Sequence, residues 1–374
     1  MSSSVHTLVL SRHLCTRTVR VPAFVARRSK RVMTAPVSAT SVSAHLELLG
    51  PQCSGESGLP ARVRFHQSWF RYDVLGLRAF GSTRHHSGGR PLGSILAPSD
   101  ARNGLNFVTP SARSLFEWRH QQGWGVDPFR CTSHMTSSQA LMFNLLGPLW
   151  LDHSWITRLL TRLLEAEVFA ILGLDLEFAP PRRSAYLRDM TRLDSWIRLD
   201  TNDGPTALVV EVKYSDRFSS RYINPAEQAP YRALASRTQL WSLDDGAAQA
   251  RQVNQLLRCH ALGAAVWLSE QPNCAPPRLL VVHHPDDDVA RKTVAAYRKV
   301  LHIPELVTSV GLDAFLAGML ATASSCSQRH LVEELDRRYV AHDLSEELWH
   351  EYRAAARKEL PARGPTNVSV GPLS

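Results

Sequence analysis

Short alternations of apolar and polar residues at 63–65 and 72–80 predict strands within residues 62–107. Loops around His85, His86, Gly88 and Gly89 break them up. Thr109-Pro110 then gives a capping hydroxyl followed by proline at the first helical position, and the helix it opens runs to 122. A second helix is expected over 138–146 and a long amphipathic one over 153–172. In the latter Ile156, Leu159, Leu160, Leu163, Ala170 and Ile171 form one stripe. Glu167 falls in the middle of that stripe and Glu165 on the opposite face, so Glu167 is a carboxylate aimed at the core and in need of a partner. Two strands, 186–199 and 206–213, flank the turn Thr201-Asn202-Asp203-Gly204-Pro205. A Tyr/Arg-rich loop leads to a helix over 245–268 and a strand over 278–283. Helices over 287–301, 312–323, 328–340 and 345–360 complete the pattern.

With 374 residues, 44% of them hydrophobic, the chain has material for one large domain or two small ones. No apolar run approaches the ~18 residues of a membrane-spanning helix. The net charge of +9 is concentrated at one end: residues 1–46 carry seven Lys/Arg and no acid, which leaves 36 basic against 34 acidic groups elsewhere. Overall charge is therefore no argument for nucleic-acid binding, and only a local patch could be one. Residues 1–46 read as a disordered basic extension, either an organelle transit peptide or a stretch upstream of a start at Met33, and the sequence leaves both open. Residues 47–60 read as a linker, 61–345 as the folded domain, and 346–374 as a last helix and tail. Cys15, Cys53, Cys131, Cys259, Cys274 and Cys326 form no C-x2-C pair and have no histidines at zinc spacing. They are expected to be reduced thiols in a cytoplasmic protein.

The chemistry gathers on strand 206–213. Leu208, Val210, Val212 and Tyr214 share one face, and Ala207, Val209, Glu211 and Lys213 the other. Both faces are apolar over most of their length, as in a central buried strand. A carboxylate and an ammonium there must be paired or bound to a metal. A turn centred between Asn202 and Asp203 sets Asp194 opposite Glu211; a turn one residue later sets it opposite Lys213. In either register the three side chains lie within about 5–8 Å. Two carboxylates at that spacing suit a hard divalent cation with oxygen ligands.

The segment Thr191-Arg192-Leu193-Asp194…Val210-Glu211-Val212-Lys213-Tyr214, behind a Glu-bearing helix and before a Gln-bearing one, resembles the PD-(D/E)XK nuclease superfamily. A closer resemblance is to a bacterial group of restriction-endonuclease-like proteins. It rests on Asn103-Gly104-Leu105-Asn106-Phe107, on 137–145, on Gln255-Leu256-Leu257-Arg258-Cys259-His260, and on Val281-Val282-His283-His284-Pro285. The superfamily's proline before the first acid is replaced by Leu193. The resemblance implies an α/β, restriction-endonuclease-like fold, a mixed central sheet flanked by helices with a catalytic core near 153–285. It also implies a Mg2+-dependent nuclease, with Mn2+ as an alternative metal, acting on nucleic acid with DNA favoured. A homodimer is one arrangement the fold uses, and an inactive nucleic-acid-binding or protein-interaction module is the alternative function. Asp194, Glu211 and Glu167 would hold the metal, helped by the carbonyl of Val212. Lys213 would position the attacking water, and Gln255, with Gln252 as competitor, would sit nearby.

Arg217, Arg221 and Arg258 are the candidate nucleic-acid-binding residues. They belong to an interleaving of basic and aromatic residues that includes Phe218, Tyr222, Tyr231 and Trp241. This stretch either contacts phosphates and unpaired bases or packs on the domain edge. His283-His284-Pro285-Asp286-Asp287-Asp288 reads as a strand end followed by a helix cap rather than as a metal cluster. For Asn103, Asn106, Gln139 and Asn144, buried amide hydrogen bonding and substrate contact are both open.

Overall fold

The computed structural model describes residues 39–84, 88–123, 125–218 and 221–359. His85, His86 and the basic extension before residue 39 lie outside them. Met1–Ala39 and Thr40–Ser374 separate as two units, and the architecture below is that of the second.

Helices α1 (Ala39–Leu49) and α2 (Gly58–Trp69) lead into a small hairpin of β1 (Phe80–Ser82) and β2 (Pro91–Leu96). Then come α3 (Pro98–Arg102), α4 (Pro110–Gln121), α5 (Pro128–Ser133), α6 (Ser138–Leu151) and α7 (His153–Leu164). Strands β3 (Val168–Phe178), β4 (Leu193–Thr201) and β5 (Gly204–Lys213) follow, then α8 (Ala229–Thr238), α9 (Asn254–Glu270) and β6 (Arg278–His283). The chain closes with α10 (Asp288–Arg298), β7 (Val307–Gly311), α11 (Leu312–Thr322), α12 (Cys326–Tyr339) and α13 (Glu346–Glu359). Among the described residues no helix is long and apolar enough to cross a membrane.

The main sheet runs β3-β4-β5-β6-β7, antiparallel through β5 and parallel from β5 to β7. Hydrophobic layers cover both faces. Leu208, Val210, Val212 and Tyr214 pack against α6, α7 and α11, while Ala207 and Val209 pack against α9. The α9 contact is close: a Cβ on Gly263 would lie 2.3 Å from Val209 Cγ2. The mixed α/β fold, a sheet flanked by helices, is the one the resemblance implied.

Several elements differ from expectation for local reasons. Residues 63–65 lie in α2, where Val63, His66 and Gln67 are buried at helical spacing; three alternating residues cannot separate the two periods. Of residues 72–80 only Phe80 is in a strand. The helix expected over 153–172 stops at Leu164, because Glu165 adopts a left-handed φ of 51° and turns the chain into β3. The strand expected from 186 begins at Leu193, and 245–253 are turns before α9. Helix α8 occupies the Tyr/Arg-rich loop, β7 appears where no strand was predicted, and α1 begins inside the segment read as disordered.

Candidate active site

The β4–β5 hairpin closes through Thr201↔Gly204 over Asn202-Asp203, with Gly204 at φ 96°. Its register pairs Ser195 with Val210, so by continuation Asp194 stands opposite Glu211, the first of the two registers considered. In the β3–β4 ladder Leu176 pairs with Ser195 and Phe178 with Leu193. That puts Glu177 opposite Asp194 from the other side. Glu177, Asp194 and Glu211 therefore form one row of carboxylates across three adjacent strands, at the end of β5 where the parallel half of the sheet begins.

Each member is held. Asp194 Oδ2 accepts the Val212 N–H at 2.7 Å, in place of a further ladder bond. Glu211, 2% exposed, has its Oε1 2.7 Å from Lys213 Nζ and also accepting from Gln255 Nε2; Cys259 Sγ lies 3.5 Å from its Oε2. Glu177, 3% exposed, accepts from Gln139 Nε2 and lies 3.7 Å from Arg192. Gln139 in turn takes the Asp127 N–H at 3.0 Å, which fixes its amide toward Glu177. Lys213 rests 5.1 Å from the centre of the Phe218 ring.

The charges are strained toward one another. Burial, then Glu211 and Glu177, push the Asp194 carboxyl well above its usual range. Burial also raises Glu177, against the opposing pull of Arg192, Gln139 and Arg119. Burial works to deprotonate Lys213, but Glu211 and Asp194 overcome it and hold the ammonium charged beyond its ordinary range.

A cavity of about 600 Å3 opens over the row. Arg130, Arg192, Arg217 and Arg221 line it, so a carboxylate floor is rimmed by guanidinium groups. Of the residues singled out from sequence, Asp194, Glu211, Lys213 and Gln255 come together; Gln252 is exposed. Arg217 and Arg221 reach the cavity as exposed side chains. Arg258 also lines it, but its guanidinium is buried in a two-bond pair with Asp189, at 2.6 Å each, and Tyr231 adds a third bond to that carboxylate at 2.7 Å. Burial opposes the Asp189 charge, yet Arg258 and Tyr231 hold its pKa down to about 2. Arg258 is thus a strut under the site. Tyr214, Tyr231 and Trp241 are buried too, so the aromatics of that stretch mostly serve packing.

Glu167 is displaced from expectation. It lies beyond the end of α7, exposed, where its backbone pairs with Asn202 at the turn end of the hairpin. This is the opposite end of the strands from the carboxylate row. Glu177 stands where the third carboxylate was sought, and Leu174-Asp175-Leu176-Glu177-Phe178 carries the strand alternation that would have shown it. Among the amides, Asn106 and Asn144 serve the interior, bonding Cys131 O and Tyr339 Oη respectively, whereas Gln139 touches the row. The described cysteines, Cys53, Cys131, Cys259, Cys274 and Cys326, are free thiols.

Compared with models of known families, residues 54–341 match that of the PD-(D/E)XK nuclease superfamily, more than three quarters of the chain. Neither the curated proteins nor the solved structures give a significant match.

Proposed function

Because the chain belongs to the PD-(D/E)XK nuclease superfamily, we propose that it hydrolyses phosphodiester bonds of nucleic acid, DNA first among the substrates, with a divalent cation held by Asp194, Glu211 and Glu177. The observation that carries this reading is the row of three carboxylates on adjacent strands beside a buried ammonium. Burial, with added repulsion from the neighbouring carboxylates, lifts Asp194 and Glu177 above their ordinary range, and a cation among them relieves what no side chain relieves in full. The donor set, all carboxylate oxygen with the cavity open to water, fits Mg2+ or Mn2+. Bound there, the ion supplies Lewis acidity and lowers the pKa of a coordinated water.

The chain's own groups do the rest. Lys213 remains an ammonium, so it orients the attacking water and offsets negative charge on the phosphoryl oxygens rather than removing a proton. Gln255 and Lys213 together fix the Glu211 carboxylate. Arg217 and Arg221, at the cavity rim, would take the flanking phosphates, and Arg192 and Gln139 hold Glu177 in the row. Water oxygen gives up a proton to solvent and bonds to phosphorus, the bond to one bridging oxygen breaks, and the departing oxygen takes a proton from solvent.

The test is a panel of plasmid, linear duplex, single-stranded DNA and RNA, each incubated with the full chain in Mg2+, Mn2+ or EDTA. Cutting of at least one substrate that EDTA abolishes is expected. No cutting of any substrate with either metal would overturn the proposal and leave a binding module on the same fold.

A further inference from the structure

His284 follows β6 on the side of the sheet facing Tyr214, away from Glu211 and Lys213, and its ring centre lies 6.0 Å from that of Tyr214. His342, in the short turn between α12 and α13, stacks on it at 4.7 Å between ring centres. Asp286, just after β6, places Oδ2 3.8 Å from His284 Nδ1. One nitrogen from each ring and one oxygen of Asp286 lie within 4.8 Å of one another. Both rings are buried, at 1% and 8% exposure, and the Nε2 atom of each has no hydrogen-bond partner. His284 Nδ1 faces the Asp286 side, where it accepts the Asp286 backbone N–H at 3.1 Å, and a cation bound at that nitrogen would take the place of this bond. Native proteins seldom leave two buried imidazole nitrogens unpartnered without a reason.

Carboxylates gather on one side of the rings: Asp286, Asp287 and Asp313 lie within electrostatic reach of His284, and Asp313 and Asp343 within reach of Asp336. Arg62 and His66 are the opposing basic groups. Arg62 is already bonded to Glu346 and the His342 carbonyl, and His66 to Ser345 and Arg337. Two imidazoles and one carboxylate, with an exposed edge for water, are the ligands a borderline divalent metal takes.

We propose that His284, His342 and Asp286 form a second metal site, separate from the carboxylate row, that takes Zn2+ or a similar nitrogen-preferring transition metal. Its place indicates a structural role. It ties the turn before α13 to the exit of β6, two segments 58 positions apart in the chain, and so fastens the C-terminal helices to the sheet beneath Tyr214, the neighbour of Lys213. Binding to the folded form alone would add to stability.

The full chain is stripped with chelator, loaded with Zn2+ or Co2+ and desalted; metal content, the visible spectrum of the Co2+ form and the thermal midpoint are then read. Asp286→Asn, at an exposed position, keeps the fold, and circular dichroism checks it and His342→Gln. The proposal expects one equivalent retained by the wild type and by Asp194→Asn, and a higher midpoint on loading. It also expects affinity at least about tenfold weaker in Asp286→Asn and His342→Gln. No retained metal in the wild type, retention undiminished in Asp286→Asn, or loss in Asp194→Asn instead would overturn it.

Discussion

Glu177 owes its role to one ladder position. Across from Asp194, with its amide and guanidinium partners in place, it completes a three-carboxylate row; Glu167, one residue before the far end of the same strand, faces solvent. Glu177→Gln keeps the shape and the Gln139 neighbourhood but removes a charge from the metal cradle. It should weaken Mg2+ binding and slow cleavage by about 10–100-fold. Glu167→Gln should leave both within about twofold. Parallel calorimetric titrations and initial cleavage rates check the pair, and equal losses in the two variants would contradict the placement.

At the scale of elements, the hairpin was legible because two things fix it independently. Asn202-Asp203-Gly204 marks the turn, and strand 206–213 has apolar residues on both faces, so Asp194, Glu211 and Lys213 could be brought together before any coordinates. Gln255 was implied by the family resemblance, with Gln252 as its competitor. The helix end at Leu164 was not legible, because Ile171 happens to continue the helical stripe while the reversal rests on Glu165, a residue without a preference for left-handed backbone. Missing that end hid β3 and Glu177 with it. Arg258 looked like a phosphate contact because its partner, Asp189, lies 69 positions earlier in the chain. Long-range ion pairs leave no periodic trace in sequence. Strand β7 was obscured for a similar reason: Val307–Gly311 gains its strand identity by pairing in parallel with β6 rather than from its own pattern.

At the scale of the whole molecule, histidines kept neutral by burial cost stability as the pH falls. Burial lowers the pKa of His66 to about 3 and those of His134 and His260 to about 4. As pH falls below about 6.5 the unfolded chain takes up protons at these positions while the folded chain does not. Their contribution is therefore complete above that pH and lost progressively toward their folded values. Asp194 and Glu177 act in the opposite sense, since raised carboxyl pKa values let the folded state hold protons the unfolded state has released. His260, bonded to Tyr297 Oη at 2.9 Å and Pro277 O at 2.7 Å, isolates one histidine. In His260→Asn, urea unfolding between pH 6 and 4.5 should lose up to about 1.4 kcal/mol per pH unit of slope relative to the wild type. An unchanged slope would contradict the assignment.

A buried ammonium stands beside a carboxylate row in a chain whose superfamily cuts nucleic acid. The most direct measurement is the single-turnover cleavage rate of the preferred substrate at saturating Mg2+, for the wild type and for Lys213→Ala. A loss of about 10²–10³-fold in rate is expected, with Mg2+ binding no weaker than before. Equal rates for the two proteins would place the chemistry somewhere other than Lys213 and contradict the central claim.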